Sequence, residues 1–184
     1  MVNKMHKSIF MMAPVALAFL ANVGFANAAS NAEITITANV VPATCDVALN
    51  KSSLDLGNFS KTEFTEIAKP IAASVKTLSL TLTNCEAPAS ENSTPGFAIS
   101  GQTLPGYTNI FNSTGTNTGI MLSKLGTTTY LKSGETVSFA DKATTAADLN
   151  GQVLTLNAGL ASTSSTSPDI GLVRAPVLFS FVYN

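Results

Sequence analysis

The sequence predicts an all-β sandwich, and three observations lead to that fold class. Short segments of alternating apolar and polar residues recur along the chain, separated by clusters of Gly, Pro, Asn and Ser. Charged residues make up only 11% of the 184 residues, while Thr, Ser, Asn, Ala and Gly are abundant. The sequence has no heptad pattern, fixed-period repeat or linker, so a single domain built from short strands follows.

Residues 1–28 are predicted to be a secretory signal peptide. A basic start is followed by the uncharged, apolar residues 9–23 and by Ala26-Asn27-Ala28, a small-x-small site for signal peptidase. Cleavage is expected after Ala28, with Gly24-Phe25-Ala26 as a weaker site. The alternative is a transmembrane anchor, but the apolar run is short for a span. The chain is therefore expected to be exported and to keep no membrane domain.

The first strand is predicted over Glu33–Val41. An alternative prediction extends it past Pro42 as far as Val47. Its apolar side chains share one face because successive side chains of a strand point to opposite sides, and these are Ile34, Ile36, Ala38 and Val40. Pro42 cannot donate to a ladder and marks an edge, a bulge or a change of partner. On the residues alone, this segment is an ordinary strand of a self-contained sandwich.

Cys45 and Cys85 are the only cysteines. In an oxidising compartment an even pair indicates a disulfide, which would close a loop of 40 residues and stabilise the fold by about 4 kcal/mol in the chain-entropy model. The alternative is a catalytic or metal-binding thiol, but no second ligand of a suitable type accompanies either cysteine.

The middle of the chain is predicted to alternate strands with turns. Strands are expected at Ser53–Gly57, Val75–Thr83, Gly96–Ser100, Gly119–Leu125 and Gln152–Leu160. Gly126 is expected to turn the chain so that Thr127–Leu131 completes a hairpin with the fourth of these strands. Asp141–Gly151 is expected to be a short helix or a loop.

The last predicted strand, Pro176–Asn184, is the most hydrophobic one after the leader. One face carries Val177, Phe179, Phe181 and Tyr183, and no sequence follows it to cover these side chains. An uncovered strand of this composition invites pairing with another chain.

The sequence lacks the residues of the common catalytic sites, so no enzyme and no cofactor is predicted. His6 is the only histidine and lies in the leader, which excludes Ser-His-Asp and Cys-His catalysis in the exported chain. The carboxylates are dispersed, and no metal-site spacing occurs. Beyond residue 28 there are eight basic and eleven acidic residues, a net charge of −3, without a basic patch for nucleic acid.

Five motifs in order resemble the chaperone–usher pilins of Gram-negative bacteria, in particular the type 1 fimbrial major (shaft) subunit. The likeness covers essentially the whole chain after the leader. The motifs are Val40-Val-Pro-Ala-Thr-Cys45, Leu54-Asp-Leu-Gly57, Leu80-Thr-Leu-Thr-Asn-Cys-Glu86, Asn117-Thr-Gly-Ile-Met-Leu122 with Thr129-Tyr-Leu-Lys-Ser-Gly134, and Phe179-Ser-Phe-Val-Tyr-Asn184.

The resemblance implies an incomplete immunoglobulin-like sandwich, the pilin fold, which a strand donated by another chain completes. It divides the chain into a signal peptide (1–28), a donor-strand extension (29–41) and a pilin domain (42–184). Ile34, Ile36, Ala38 and Val40 would be donated to a neighbour, with Ala38 at a position where the family often has glycine. The acceptor groove and chaperone contact would comprise Val177, Phe179, Phe181 and Tyr183.

The same resemblance implies a fimbrial subunit on the cell surface that supports adhesion. Its partners would be other pilin subunits, a periplasmic chaperone and an outer-membrane usher, and the sequence names no host receptor. The alternative function is a minor adaptor or adhesive subunit with a receptor-binding surface.

Overall fold

The structure, a computed structural model, describes residues 44–87, 93–139 and 145–183. The predicted leader and the whole donor-strand extension, including Ile34, Ile36, Ala38 and Val40, lie outside these ranges. Within the described residues, no helix is long and apolar enough to cross a membrane.

The described residues form seven antiparallel strands in two sheets, which confirms the all-β prediction. The strands are β1 (Asp46–Leu49), β2 (Lys76–Thr83), β3 (Pro95–Gly101), β4 (Thr118–Lys124), β5 (Thr136–Ser138), β6 (Val153–Ser162) and β7 (Val177–Tyr183). The larger sheet has the order β1-β2-β6-β4, and the smaller one has the order β5-β3-β7. The described helical elements are two single 3-10 turns, Lys61–Glu63 and Ala72–Ser74, and the four-residue helix α1 (Ala146–Leu149).

The core lies between the sheets, where the apolar members of each alternating strand meet. Leu80 and Leu82 of β2, Leu156 of β6 and Phe97 of β3 are completely buried in it. A second, smaller cluster forms on the outer face of the larger sheet, where Met121 packs with residues of the loop before β4 and with Ala161. This loop is the reason that β4 buries both of its faces.

The structure corrects two of the strand predictions. Ser53–Gly57 forms no strand, although Leu54 and Leu56 face the core in the predicted alternation. Alternation reports which side chains face inward, and it does not report whether the backbone has a ladder partner. The predicted hairpin of Thr127–Leu131 is reduced to a bridge between Ser123 and Tyr130 and a bond from the Leu131 N–H to the Leu122 carbonyl (2.8 Å).

Candidate functional site: a groove beside the C-terminal strand

Strand β7 is the edge of the smaller sheet, and its side chains alternate between core and solvent. Val177, Phe179, Phe181 and Tyr183 are partly buried and pack against the core, as their shared face predicts. On the opposite face, Leu178 remains 63% exposed. The sequence therefore assigned the two faces of β7 correctly.

The inward side chains of β7 are less buried than the residues that they oppose on β3. Phe97 and Ile99 of β3 are 0% and 1% exposed, while their ladder partners Phe181 and Phe179 are only partly buried. β3 lies between β5 and β7, whereas β7 has β3 on one side only. The incomplete burial of the two phenylalanines thus follows from their position at the edge.

Alternate residues of β7 direct their main-chain groups to the free edge. Ile99 uses its N–H and carbonyl for bonds to Glu135 and Gly134 on the β5 side (2.9 and 2.8 Å). In an antiparallel ladder, hydrogen-bonded and non-bonded pairs alternate, so Ile99 and its partner Phe179 form a non-bonded pair. Leu178, Ser180 and Val182 then bond to β3. Val177, Phe179 and Phe181 point their N–H and carbonyl groups outward, where no described residue pairs with them.

A cavity of about 1390 Å³ opens beside this edge and reaches the core. Val177 and Phe179 line one side of it, and its inner wall consists of apolar residues of the larger sheet, among them Leu122 and Ala158. Phe181 and Tyr183 do not line it. They lie further along the same face of β7, and their rings are in edge contact with a centroid distance of 4.8 Å.

The second side of the groove is the segment after β1, residues 51–59. Leu54 and Leu56 turn inward against the core, and the Lys76 ammonium donates to the carbonyl oxygen of Asp55 (2.7 Å). A turn follows at Gly57, whose N–H donates to the Asp55 carboxylate (2.9 Å) and whose φ is +108°. Two extended segments with apolar inner faces, this one and β7, therefore border the cavity.

One carboxylate attaches the start of the loop that leads into β7. Asp169 accepts bonds from the N–H groups of Thr116 (2.6 Å) and Asn117 (2.7 Å) at the start of β4. These bonds, that of Asn117 foremost, lower the pKa of Asp169, although burial acts in the opposite direction. The loop is thus fixed next to the groove by a charge-assisted network.

The end of the domain away from this loop is closed. Cys45 and Cys85 form the predicted disulfide, and the Glu86 N–H donates to the Thr44 carbonyl (2.8 Å). The Tyr183 hydroxyl donates to the carbonyl oxygen of Glu86 (3.2 Å), which ties the last described residue of β7 to the disulfide. Burial raises the pKa of this tyrosine.

Sequence reasoning missed two parts of the groove. Leu54 and Leu56 were visible as an alternating pair but carried no predicted role in the site. Asp169 gave no signal at all, because its partners lie 51–53 positions earlier in the chain.

A family model described as fimbrial protein matches residues 34–184. Two solved structures are similar to the chain. The P pilus rod subunit PapA is 21% identical, with a TM-score of 0.56, and the match covers 77% of this chain and 99% of that one. A chaperone–usher pilus studied for rod uncoiling is 22% identical, with a TM-score of 0.51 and coverage of 84% and 96%. No curated protein matches. The two antiparallel sheets thus have the immunoglobulin-like arrangement of pilins.

Proposed function

The chain belongs to the family of fimbrial proteins, and on that premise we propose that it polymerises into a surface fibre by donor-strand exchange. The chain is a structural subunit, and the proposal concerns how it is joined to its neighbours. Each subunit would give the strand centred on Ile34–Val40 to one neighbour and receive the equivalent strand from another. Before polymerisation, a periplasmic chaperone would cover the groove, and an outer-membrane usher would export the subunit.

One observation carries the proposal: the free edge of β7 combines unpaired main-chain groups with half-buried apolar side chains. An incoming strand would form a ladder with Val177, Phe179 and Phe181, whose N–H and carbonyl groups face outward. Its alternate side chains would enter the cavity beside Leu122 and Ala158. A strand with apolar residues at every second position is what such a site requires.

The segment before Cys45 has that pattern. Ile34, Ile36, Ala38 and Val40 alternate with Thr35, Thr37 and Asn39. Burial of the three larger apolar side chains contributes roughly 5–9 kcal/mol before the cost of ordering the segment, at about 1.5–3 kcal/mol for each.

Deletion of residues 29–41 tests whether the subunit donates a strand, and it leaves the groove that accepts a strand unchanged. The shortened subunit is expected to bind the chaperone and to capture a peptide of residues 29–41, because its groove is unchanged. It is not expected to join the groove of a second subunit. Fibre growth in which the shortened subunit donates at the normal rate would overturn the proposal.

A matched pair of variants tests the face of the donated strand. Asp in place of Ile34, Ile36 and Val40 should prevent joining, because a carboxylate would have to enter the apolar cavity. Asp in place of Thr35, Thr37 and Asn39 carries the same charge on the other face and should still join. Equal behaviour of the two triple variants in a gel assay of subunit pairs would contradict the assigned face.

A further inference from the structure

The cavity beside β7 lies toward the end of the described domain at which β7 begins. Besides residues 51–59 and the inner face of the larger sheet, its lining includes the start of β7, the end of β3 (Ser100 and Gly101) and the loop 169–176. None of it comes from Phe181–Tyr183 or from the residues around the disulfide, where the contact of Tyr183 with Glu86 closes the sandwich. A donated strand that pairs antiparallel with β7, as all described strand pairs do, has its last residues beside Val177 and leaves the cavity past the loop 169–176.

This loop presents an exposed surface, which we call the mouth surface and define as Ile170, Leu172 and Arg174. Ile170 and Leu172 are 83% and 70% exposed, an apolar pair of the kind that marks a protein contact. The loop is nevertheless fixed. Asp169 binds the start of β4, the Arg174 carbonyl accepts from the Ser113 N–H (2.7 Å), and the Arg174 N–H donates to the Thr114 hydroxyl (3.0 Å).

The mouth surface carries one cation, Arg174, that has no ion-pair partner among the described residues. The charged residues of the loop 169–176 are Asp169 and Arg174. The carboxylate of Asp169 is occupied by the N–H groups of Thr116, Asn117 and Thr118. The guanidinium of Arg174 is exposed and forms no ion pair with the described residues.

The opposite end of the domain carries the complementary charge. We call it the disulfide end and define it as residues 44–46 and 84–86. Its charged side chains are Asp46 and Glu86, both acidic and both exposed. The Asp46 carboxylate accepts from the Asn84 amide (2.9 Å), and this bond keeps it at the surface.

Chain connectivity brings these two surfaces together in a polymer. The donated strand ends near Val40, and Cys45 lies at the disulfide end of the donating copy. Five residues span at most about 17 Å. A subunit whose strand leaves the groove past the loop 169–176 therefore has to place its own disulfide end close to that loop.

We propose that the mouth surface of one subunit is the docking surface for the disulfide end of the next, with Arg174 facing Asp46 and Glu86 of the incoming copy. This rests on the proposed strand exchange. The opposite charges steer the incoming subunit and fix its orientation, while the strand supplies most of the affinity. The occupant is thus a second copy of this chain in head-to-tail contact.

Two assays separate this proposal from strand exchange itself. The first measures capture of a peptide of residues 29–41 by the chaperone-bound subunit. The second measures the rate at which a full-length subunit joins that groove. Wild-type joining should slow about 10-fold between 20 mM and 300 mM salt because the charges steer the encounter, while peptide capture changes less than about twofold.

Charge reversal identifies the residues. Donor subunits with Asp46→Lys and Glu86→Lys should join a wild-type groove about 5–10-fold more slowly at low salt, and an Arg174→Glu acceptor should restore the rate to within about twofold. A donor with both Glu63→Lys and Glu66→Lys, an equal change of charge at two exposed acids outside the disulfide end, is the control and should join normally. Peptide capture by each double variant reports that it is folded.

The outcomes are distinguishable. Failure of the wild-type groove to capture the peptide refutes strand exchange and this proposal with it. Two results would refute the docking surface alone while peptide capture stays normal. The first is that the charge reversals do not change the joining rate. The second is that the reversed donor joins slowly and the Arg174→Glu acceptor does not restore its rate.

Discussion

β4 and β7 each end a sheet, but only β4 has its outer edge covered by other described residues. The N–H and carbonyl of Ile120 in β4 both bond to Phe111 (2.8 Å each), and the Leu122 carbonyl accepts from the Leu131 N–H (2.8 Å). Loops before and after β4 thus satisfy the groups that an edge strand leaves open. The corresponding groups of β7 have no described partner. Among the described residues, one of these two edges is covered and the other is not.

The difference does not come from the strands themselves. β7 is the more hydrophobic of the two, so hydrophobicity alone would favour internal cover for it. The segment around Phe111 covers β4. It can approach the strand closely because β4 has a glycine, Gly119, at the point of contact. A Cβ on Gly119 would lie 2.6 Å from the Phe111 carbonyl oxygen, so only glycine allows this approach. The structure describes no such segment along the outer edge of β7.

The largest expected effect is at the open edge. Phe179→Asp should reduce peptide capture by more than about 100-fold, because a carboxylate would replace an apolar group that faces the cavity. Leu178→Asp is the matched control on the adjacent, exposed position and should capture the peptide almost normally. Titration of each chaperone-released subunit with labelled peptide measures both. Equal capture by the two variants would mean that β7 does not receive a strand.

A substitution at the covered edge, β4, should lower the stability of the domain rather than peptide capture. Phe111→Ala removes a completely buried ring beside β4 and is expected to destabilise the peptide-filled domain by about 3–5 kcal/mol. Leu125→Ala, just after β4 and exposed, should change stability by less than about 0.5 kcal/mol. Urea unfolding of both variants provides the comparison. A loss of less than about 1 kcal/mol for Phe111→Ala would mean that β4 needs no such cover.

The comparison also shows how far the sequence could predict this molecule. Alternation located β2, β4, β6 and β7 to within about two residues, because each has an apolar face that only one register buries. It also identified the inward face of β7. The two cysteines at the ends of predicted strands were sufficient to predict the disulfide, which the structure confirms.

The cover on β4 and the wall opposite β7 could not be predicted, because both depend on contacts between distant segments. Thr127–Leu131 looked like a returning strand, yet Thr127, Thr128 and Thr129 are exposed and have no apolar group to hold them. Only Tyr130 and Leu131 stay near β4. Leu54 and Leu56 had the pattern of a strand, but no described residue pairs with their backbone.

A moderate effect is expected where the loop before β7 is attached to β4. Asp169→Asn weakens the network with Thr116 and Asn117 and should alter the pH dependence of stability. Because the pKa of Asp169 is lowered in the fold, its contribution is present above the ordinary carboxyl pKa of about 3.9 and is lost as pH falls through the lower folded value.

Urea midpoints measured from pH 6 down to pH 2 should therefore fall less steeply for Asp169→Asn than for the wild type. Glu86→Gln, which removes an exposed carboxylate that bonds to no described residue, is the control. Identical slopes for the wild type and Asp169→Asn would show that this carboxylate does not hold the loop next to the groove.

The smallest effect is expected at the closed end of β7. Tyr183→Phe removes the hydroxyl that donates to Glu86 (3.2 Å) and should cost about 1 kcal/mol, the usual net value of one hydrogen bond. Tyr130→Phe, beside β4, removes a hydroxyl that bonds to no described residue and should cost less. Since burial raises the pKa of Tyr183, wild-type stability should also decline as pH rises above about 10, where the unfolded chain ionises first.

This alkaline decline should be smaller in Tyr183→Phe, and unfolding midpoints between pH 8 and pH 11 would measure it. If Tyr183→Phe instead opened the disulfide end, a peptide longer than residues 29–41 would gain affinity, because the groove would extend past Phe181. Unchanged affinity for the longer peptide would mean that the groove ends where the cavity does. The hydrogen bond from the Tyr183 hydroxyl to Glu86 would then contribute little to where the groove ends.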